Sequence, residues 1–252
     1  MTNFPTPKPE NLPAELLSMM ADDAGRGVSL AGEDQLPSML LVGQNNTPAC
    51  DKNDEKYVDG CEPGDFILRV GGVSTQRSGI DGITVIPCKM TLSWVGWRAQ
   101  RQGFLFRSLQ KPEGLVETIE HDENGRARSV MKLGDDVVQQ SRDIFLLVAD
   151  EQGNWSPFMM PNVSTFNTFA RGWNSFWGSV RHPKSGGVMP SYSHQYQLTT
   201  YRRQNALGRW YVPRYADLGL VTDMALFNLA REFNRIIEGQ AGPSNDMTRP
   251  AA

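Results

Sequence analysis

The run from Ile83 to Trp97 constrains the fold more than any other part of the chain. Ile83, Val85, Pro87, Lys89, Thr91, Ser93 and Val95 alternate with Thr84, Ile86, Cys88, Met90, Leu92, Trp94 and Gly96. That two-residue period belongs to an extended strand, and at this length it implies a sheet. The second set is the more apolar, so it is expected to face the core. Pro87 cannot donate to a ladder and predicts an edge position or a bulge.

Other segments share this character. Strands are expected at Ser38–Val42, Phe66–Val70, Phe104–Phe106 and Arg126–Leu133. Asp143–Ala149 should be central, because both of its faces are apolar, and it should turn through 150–154 into Trp155–Met160. Two more strands, Tyr192–Arg202 and Arg209–Tyr215, are expected to form a hairpin.

Two helices interrupt the pattern. From Ser164, Phe166, Phe169, Trp173, Phe176, Trp177 and Val180 recur at steps of three and four, which is one apolar stripe and first of all a packing face. A second stripe runs from Asp223 to Glu238. Residues 1–35 combine a proline-rich leader, a short amphipathic helix (Pro13–Ala24) and Gly25-Arg26-Gly27, and are expected to form a mobile acidic arm. A single domain should occupy 36–238 and a disordered tail 239–252.

With 24 glycines, 16 prolines and a charged fraction of 21%, the chain reads as globular and turn-rich. Cys50, Cys61 and Cys88 have no CxxC spacing and are expected to be reduced thiols. No apolar run is long enough for a signal sequence or a bilayer span, so a cytoplasmic protein without a membrane partner is expected. Nucleotide-binding, hydrolase, zinc-peptidase and deaminase motifs are all absent. The histidines His121, His182 and His194 form no cluster in sequence. Asp22-Asp23 and Asp135-Asp136 are read as solvated acids rather than magnesium ligands. No enzyme activity and no cofactor are therefore expected.

The net charge of −3 conceals a strong polarity. Trp155–Ala216 contains no Asp or Glu, where about seven would be expected at the chain-wide frequency of 28 in 252. It does contain Arg171, Arg181, Lys184, Arg202, Arg203, Arg209 and Arg214, and 13 of the 23 aromatic residues. Gly82–Pro112 is likewise acid-free, with Lys89, Arg98, Arg101, Arg107 and Lys111. By contrast, 12 acids face 4 basic residues between Met1 and Asp65. Cations track phosphates and flat rings stack on unpaired bases, so this combination suits single strands better than duplexes.

A family resemblance rests on specific residues. Tyr57-Val58-Asp59-Gly60-Cys61-Glu62-Pro63-Gly64-Asp65, Ile83–Cys88 with Trp97, Ser164-Thr165 leading to Arg171-Gly172-Trp173-Asn174, and Tyr196–Thr200 with Gly208-Arg209-Trp210 resemble a group of tailed-bacteriophage early-region proteins. The resemblance covers about 36–238. It implies single-stranded DNA binding in replication or recombination, and an OB-like barrel. Phage single-strand binders of the better-known replication type finish in an acidic tail that recruits polymerase. Residues 242–252 lack that character, so the N-terminal arm is the expected contact for replication or recombination proteins.

These observations define the expectations. The fold should be α+β and mainly β: a partly open OB-like barrel with an inserted aromatic helix and a C-terminal helix packed outside. Arg98, Arg101, Arg107, Arg171, Arg202, Arg203, Arg209 and Arg214 should contact phosphates, and Trp97, Tyr201, Trp210 and Tyr211 should stack on bases. Self-association into a homo-oligomer stays open. Three rival readings are a phage protein that binds a host nuclease or defence factor, a virion subunit, and a metal-dependent nuclease.

Overall fold

The computed structural model describes residues 38–99, 103–121, 127–163, 166–206 and 208–240. The expected N-terminal arm, the Pro13–Ala24 helix and the tail beyond 240 lie outside them. The strands are β1 (Met39–Val42), β2 (Phe66–Val70), β3 (Val73–Arg77), β4 (Ile83–Trp97), β5 (Phe104–Ser108), β6 (Val116–His121), β7 (Ala127–Leu133), β8 (Asp136–Ala149), β9 (Trp155–Val163), β10 (His194–Asn205) and β11 (Gly208–Leu220). Helix α1 (Phe166–Ser179) follows β9, and α2 (Met224–Gln240) follows β11.

The strands form one curled sheet in the order β11-β10-β4-β8-β9-β1-β2-β3. Strand β5 adds to the far end of β4, and β7 carries β6 on the start of β8. All pairings are antiparallel except β1 with β9. The expected class, α+β and mainly β, is the one adopted, and the sheet is an open half-barrel. Strands β3 and β6 escaped the sequence reading because Val73–Arg77 and Val116–His121 are largely polar edge segments.

The two faces of the sheet are covered by different helices. Ile144, Leu146 and Val148 of β8 point into the concave side with Leu40, Phe66, Tyr196 and Leu198, and α1 fills it with Ala170, Trp173 and Trp177. Phe166, Phe169 and Phe176 pack around them, as the stripe on this helix predicts. Leu147 points the other way and meets Ile86, Cys88 and Ala230 of α2. Strand β8 is thus central, between β4 and β9. Asp223 caps α2, accepting from the N–H groups of Ala225 (2.7 Å) and Leu226 (3.1 Å).

Strand β4 departs from the expected pattern, because its alternation is broken in the middle. Pro87 pairs with Leu146 and Lys89 with Phe145, leaving Cys88 as the extra residue of a bulge. Before the bulge the odd-numbered Ile83 and Val85 face α1, while Ile86 and Cys88 face α2. Beyond it Met90, an even-numbered residue, joins the concave core. The single inward face expected from alternation is therefore wrong: one inserted residue exchanges the faces. The displaced Cys88 carbonyl accepts from Ser191 Oγ (2.8 Å) and Asn234 Nδ2 (3.0 Å).

The half-barrel is drawn together across the gap between β1 and β11 by a side chain. Gln44 Oε1 accepts from the Tyr211 N–H (2.9 Å), and Gln44 Nε2 donates to the Tyr211 carbonyl (3.0 Å). One amide side chain thus occupies the free edge of β11 as a strand would. The loop 43–65 adds a further clamp, as Thr200 Oγ1 donates to the Gly64 carbonyl (2.6 Å), and the turn between β3 and β4 adds another, as the Thr200 N–H donates to the Gly79 carbonyl (2.8 Å). Gly64 has φ +107°, and a Cβ there would stand 2.6 Å from the Tyr211 ring. A Cβ on Gly79 would stand 1.9 Å from the Gly64 carbonyl oxygen. Neither position accepts a side chain.

Gln44→Ala should strand both Tyr211 backbone groups and lower unfolding free energy by about 1–3 kcal/mol. Urea denaturation checks this. The midpoint should fall with the slope unchanged, and the Tyr211 amide should exchange faster.

Candidate nucleic-acid interface

The hairpin of β10 and β11 sorts its side chains by register. Thr199 opposes Arg214, Tyr201 opposes Val212, and Arg203 opposes Trp210, so these six share one face. Leu198 opposes Tyr215, Thr200 opposes Pro213, Arg202 opposes Tyr211, and Gln204 opposes Arg209 on the other. Below Thr200, Tyr196, Leu198 and Tyr215 pack into the core. From Tyr201 to Arg209 every described residue is exposed.

The two faces have different electrostatic surroundings. Tyr201, Arg203 and Arg214 of the first face, with Pro213 and Tyr215 of the second, line a groove of about 240 Å³ against Phe169 and Gly172 of α1, with no acid in its lining. Arg214 Nε donates to Thr199 Oγ1 (2.9 Å), which holds its guanidinium along the strand. Tyr201 is 39% exposed. Burial pushes the Tyr215 phenol above its ordinary pKa, so it stays neutral. Arg171, next to Gly172 on α1, is exposed. The second face lies beside the loop 43–65, which carries six acids and two lysines. There Tyr211 is packed against Gly64 and the core, whereas Arg202 and Arg209 stay exposed.

Most aromatic residues of the acid-free segment serve packing. Trp173, at 0% exposure, stacks on Tyr215 (5.4 Å between centroids, 13° between planes) and touches Phe169, Trp177 and Tyr196 at 5.0–5.3 Å. Trp210 is half-buried, and its indole N–H has no partner among the described residues. Of the four expected stacking residues, Tyr201 alone is both open and in the groove.

The other acid-free segment goes elsewhere. Strand β10 meets β4 at Ile83–Val85, and Trp97 lies at the far end of that 15-residue strand, ~45 Å away if it were straight. Trp97 is half-buried with its ring edge-on to Phe104 at 6.0 Å, and Arg98 is exposed beside it. Arg101 is outside the described residues. The two basic segments therefore do not converge.

Arg107 is committed to a structural pair. It forms an ion pair with Asp143, which is 1% exposed, and donates to Ser93 Oγ (3.0 Å). Ser93 and Ser141 each donate to Asp143 at 2.5 Å. Lys89 pairs with Glu238 (2.8 Å). The acids that answer these cations come from other strands and from α2, so a scan along the sequence for missing acids does not see them. Asp136, one of the paired carboxylates, accepts from the Ala99 N–H (3.1 Å). Among the described residues no group of three or more His, Cys, Asp or Glu side chains gathers as a metal site would. The contribution of α1, Phe169 and Gly172, was missed: Phe169 read only as part of a core stripe, and Gly172 only as part of the family pattern.

Fold and surface together define a curled, mainly β protein, closed on one face by an aromatic helix and presenting one basic hairpin. Residues 8–242 match the family described as Pam3 phage gp34-like protein, and the chain belongs to that family. The resemblance to phage proteins is correct at this level. No curated protein and no solved structure matches the chain. No helix among the described residues is long and apolar enough to cross a membrane.

Arg107→Met should leave a buried carboxylate without its partner and cost about 3–5 kcal/mol in unfolding free energy. Chemical denaturation measures that loss.

Proposed function

We propose that this phage protein binds single-stranded DNA without sequence specificity, in phage replication or recombination, within the host cytoplasm. The carrying observation is the acid-free groove where Tyr201, Arg203 and Arg214 stand with Phe169 and Tyr215. A base laid on Tyr201 would gain about 1–3 kcal/mol from stacking. Arg203 and Arg214 would hold the flanking phosphates, and Arg171, exposed on α1 next to Gly172, would extend the track, whereas Arg202 and Arg209 stand on the opposite face beside the acidic loop. A duplex offers no unstacked base to such a surface. In this reading the curled sheet is an OB-like platform whose hairpin supplies the contacts, and neither a cofactor nor bond-breaking chemistry is required. The acidic N-terminal arm is assigned the recruitment of replication or recombination proteins, and self-association would extend the track along a strand.

A second reading, a protein that binds and inhibits a host nuclease or defence factor, draws on a different observation. Phe104 of β5 is 58% exposed, and Ile119 of β6, an edge strand, is 69% exposed. Exposed apolar side chains suit a protein partner better than a nucleic acid. The same feature fits a virion subunit.

Fluorescence anisotropy with a labelled oligonucleotide at about 50 and 200 mM salt tests the first reading. Affinity for a single strand should exceed that for duplex and fall steeply with salt. Tyr201→Ala should weaken binding about 5–150-fold, from the lost stack. Arg203→Ala with Arg214→Ala should flatten the log–log salt slope by about 1.4, at ~0.7 for each lost phosphate contact. Equal affinity for duplex, or no binding at low salt, would refute the reading.

A further inference from the structure

The loop 43–65 that clamps the hairpin contains two of the three cysteines, and their sulfurs are in contact. Cys50 closes a short 3-10 turn, Pro48–Cys50, and Cys61 lies in the turn that precedes β2. Backbone hydrogen bonds hold both: Cys50 N–H to the Thr47 carbonyl (2.8 Å), Val58 N–H to Ala49 (3.0 Å) and Cys61 N–H to Val58 (2.9 Å). The two Sγ atoms are 3.3 Å apart. Gly43 makes room for one of them, since a Cβ there would stand 2.6 Å from Cys50 Sγ. Cys61 is 2% exposed against Ala49 and Ile67, while Cys50 is half-exposed. Cys88 belongs to a different cluster, between β4 and α2.

Two contacting sulfurs can share a metal or a covalent bond. Two thiolates on one zinc ion at ~2.3 Å each would stand ~3.8 Å apart and need further ligands. The separation here is shorter, and no such group of ligands occurs among the described residues. A disulfide needs ~2.05 Å, an approach of roughly an ångström that two side chains in one loop can share.

We infer that Cys50 and Cys61 are a site of reversible disulfide formation, which ties together the loop that holds the β10–β11 hairpin in place. The inference is independent of what the hairpin binds. A small-molecule disulfide such as oxidised glutathione serves as oxidant. The Cys50 thiolate, the more accessible, attacks one oxidant sulfur and releases one equivalent of the reduced thiol. The Cys61 thiolate then attacks Cys50 Sγ and expels the second. Cys50 and Cys61 lose two protons and two electrons, and the oxidant becomes two thiols. Burial pushes Cys61 up to about 12 and raises Cys50 as well, so the thiolates are scarce at neutral pH and the bond should form faster as pH rises. The bond would close a ring that contains Val58 and shares its loop with Gln44 and Gly64, the two residues that grip Tyr211.

The test treats the reduced full-length protein with excess oxidised glutathione, alkylates it in denaturant and measures its mass. One alkylated thiol instead of three is expected, with a peptide linking Cys50 to Cys61 and slower exchange of the Tyr211 amide. Cys88→Ser should keep the link and retain no free thiol, and Cys50→Ser should abolish the link. Three alkylated thiols, a product arrested as the glutathione adduct, or cross-linked dimers would each overturn the inference. The wild-type and Cys88→Ser masses decide the matter even if Cys50→Ser does not fold.

Discussion

The structure depends on the seating of Trp173 in the concave side of the sheet. Its indole stacks on Tyr215 from β11, meets Tyr196 from β10 edge-on, and packs along α1 between Phe169 and Trp177. A half-barrel whose strands curl this far must fill its interior, because an apolar concavity left open would expose the side chains that drive folding. One helix with bulky rings every three to four residues does so from a single segment. Tyr215 and Tyr196 are thereby locked, and through them the base of the hairpin is fixed, while the described residues from Tyr201 to Arg209 are exposed.

The sheet reaches that shape by two local departures from regularity. The bulge at Cys88 lets β4 send Ile83 and Val85 to α1 and Ile86 and Cys88 to α2, then exchanges odd for even positions beyond it. The same bulge turns a carbonyl out of the ladder, where Ser191 and Asn234 satisfy it. Across the opposite gap Gln44 supplies a substitute peptide group. Both devices meet one requirement, that a buried backbone group must find a partner when its strand neighbour is missing. The loop that carries Gln44 also carries the Cys50–Cys61 pair, so the covalent chemistry and the hairpin clamp occupy the same 23 residues.

Charge is distributed by the fold more than by the chain. The hairpin lines an acid-free groove with α1 and also lies beside a loop with six acids and two lysines, so its cations meet different surroundings although they alternate in sequence. Register puts Arg203 and Arg214 on one face and Arg202 and Arg209 on the other. In the second basic segment Arg107 is neutralised by Asp143 from β8, and Lys89 by Glu238 from α2. Cations from two equally acid-free segments thus differ in fate: Arg203 and Arg209 stay exposed, whereas Arg107 and Lys89 are paired with acids.

Much of this was legible in the residues themselves. The apolar stripe of α1, the central position of β8, the hairpin and the C-terminal helix all follow from period and turn residues, which act over a few positions. The polar edge strands β3 and β6 carry no such period, because an edge needs no buried face. Pro87 marks the bulge in β4, but nothing local marks the pairing of Arg107 with Asp143, the Gln44 bridge or the sharing of one groove by Phe169 and Tyr201. Each joins residues tens of positions apart, and each depends on how far the sheet curls, a quantity set by the sum of its packing and by no single segment. Which side chains could be buried was written in the order of residues; which cations remained free in water was decided only when distant strands met.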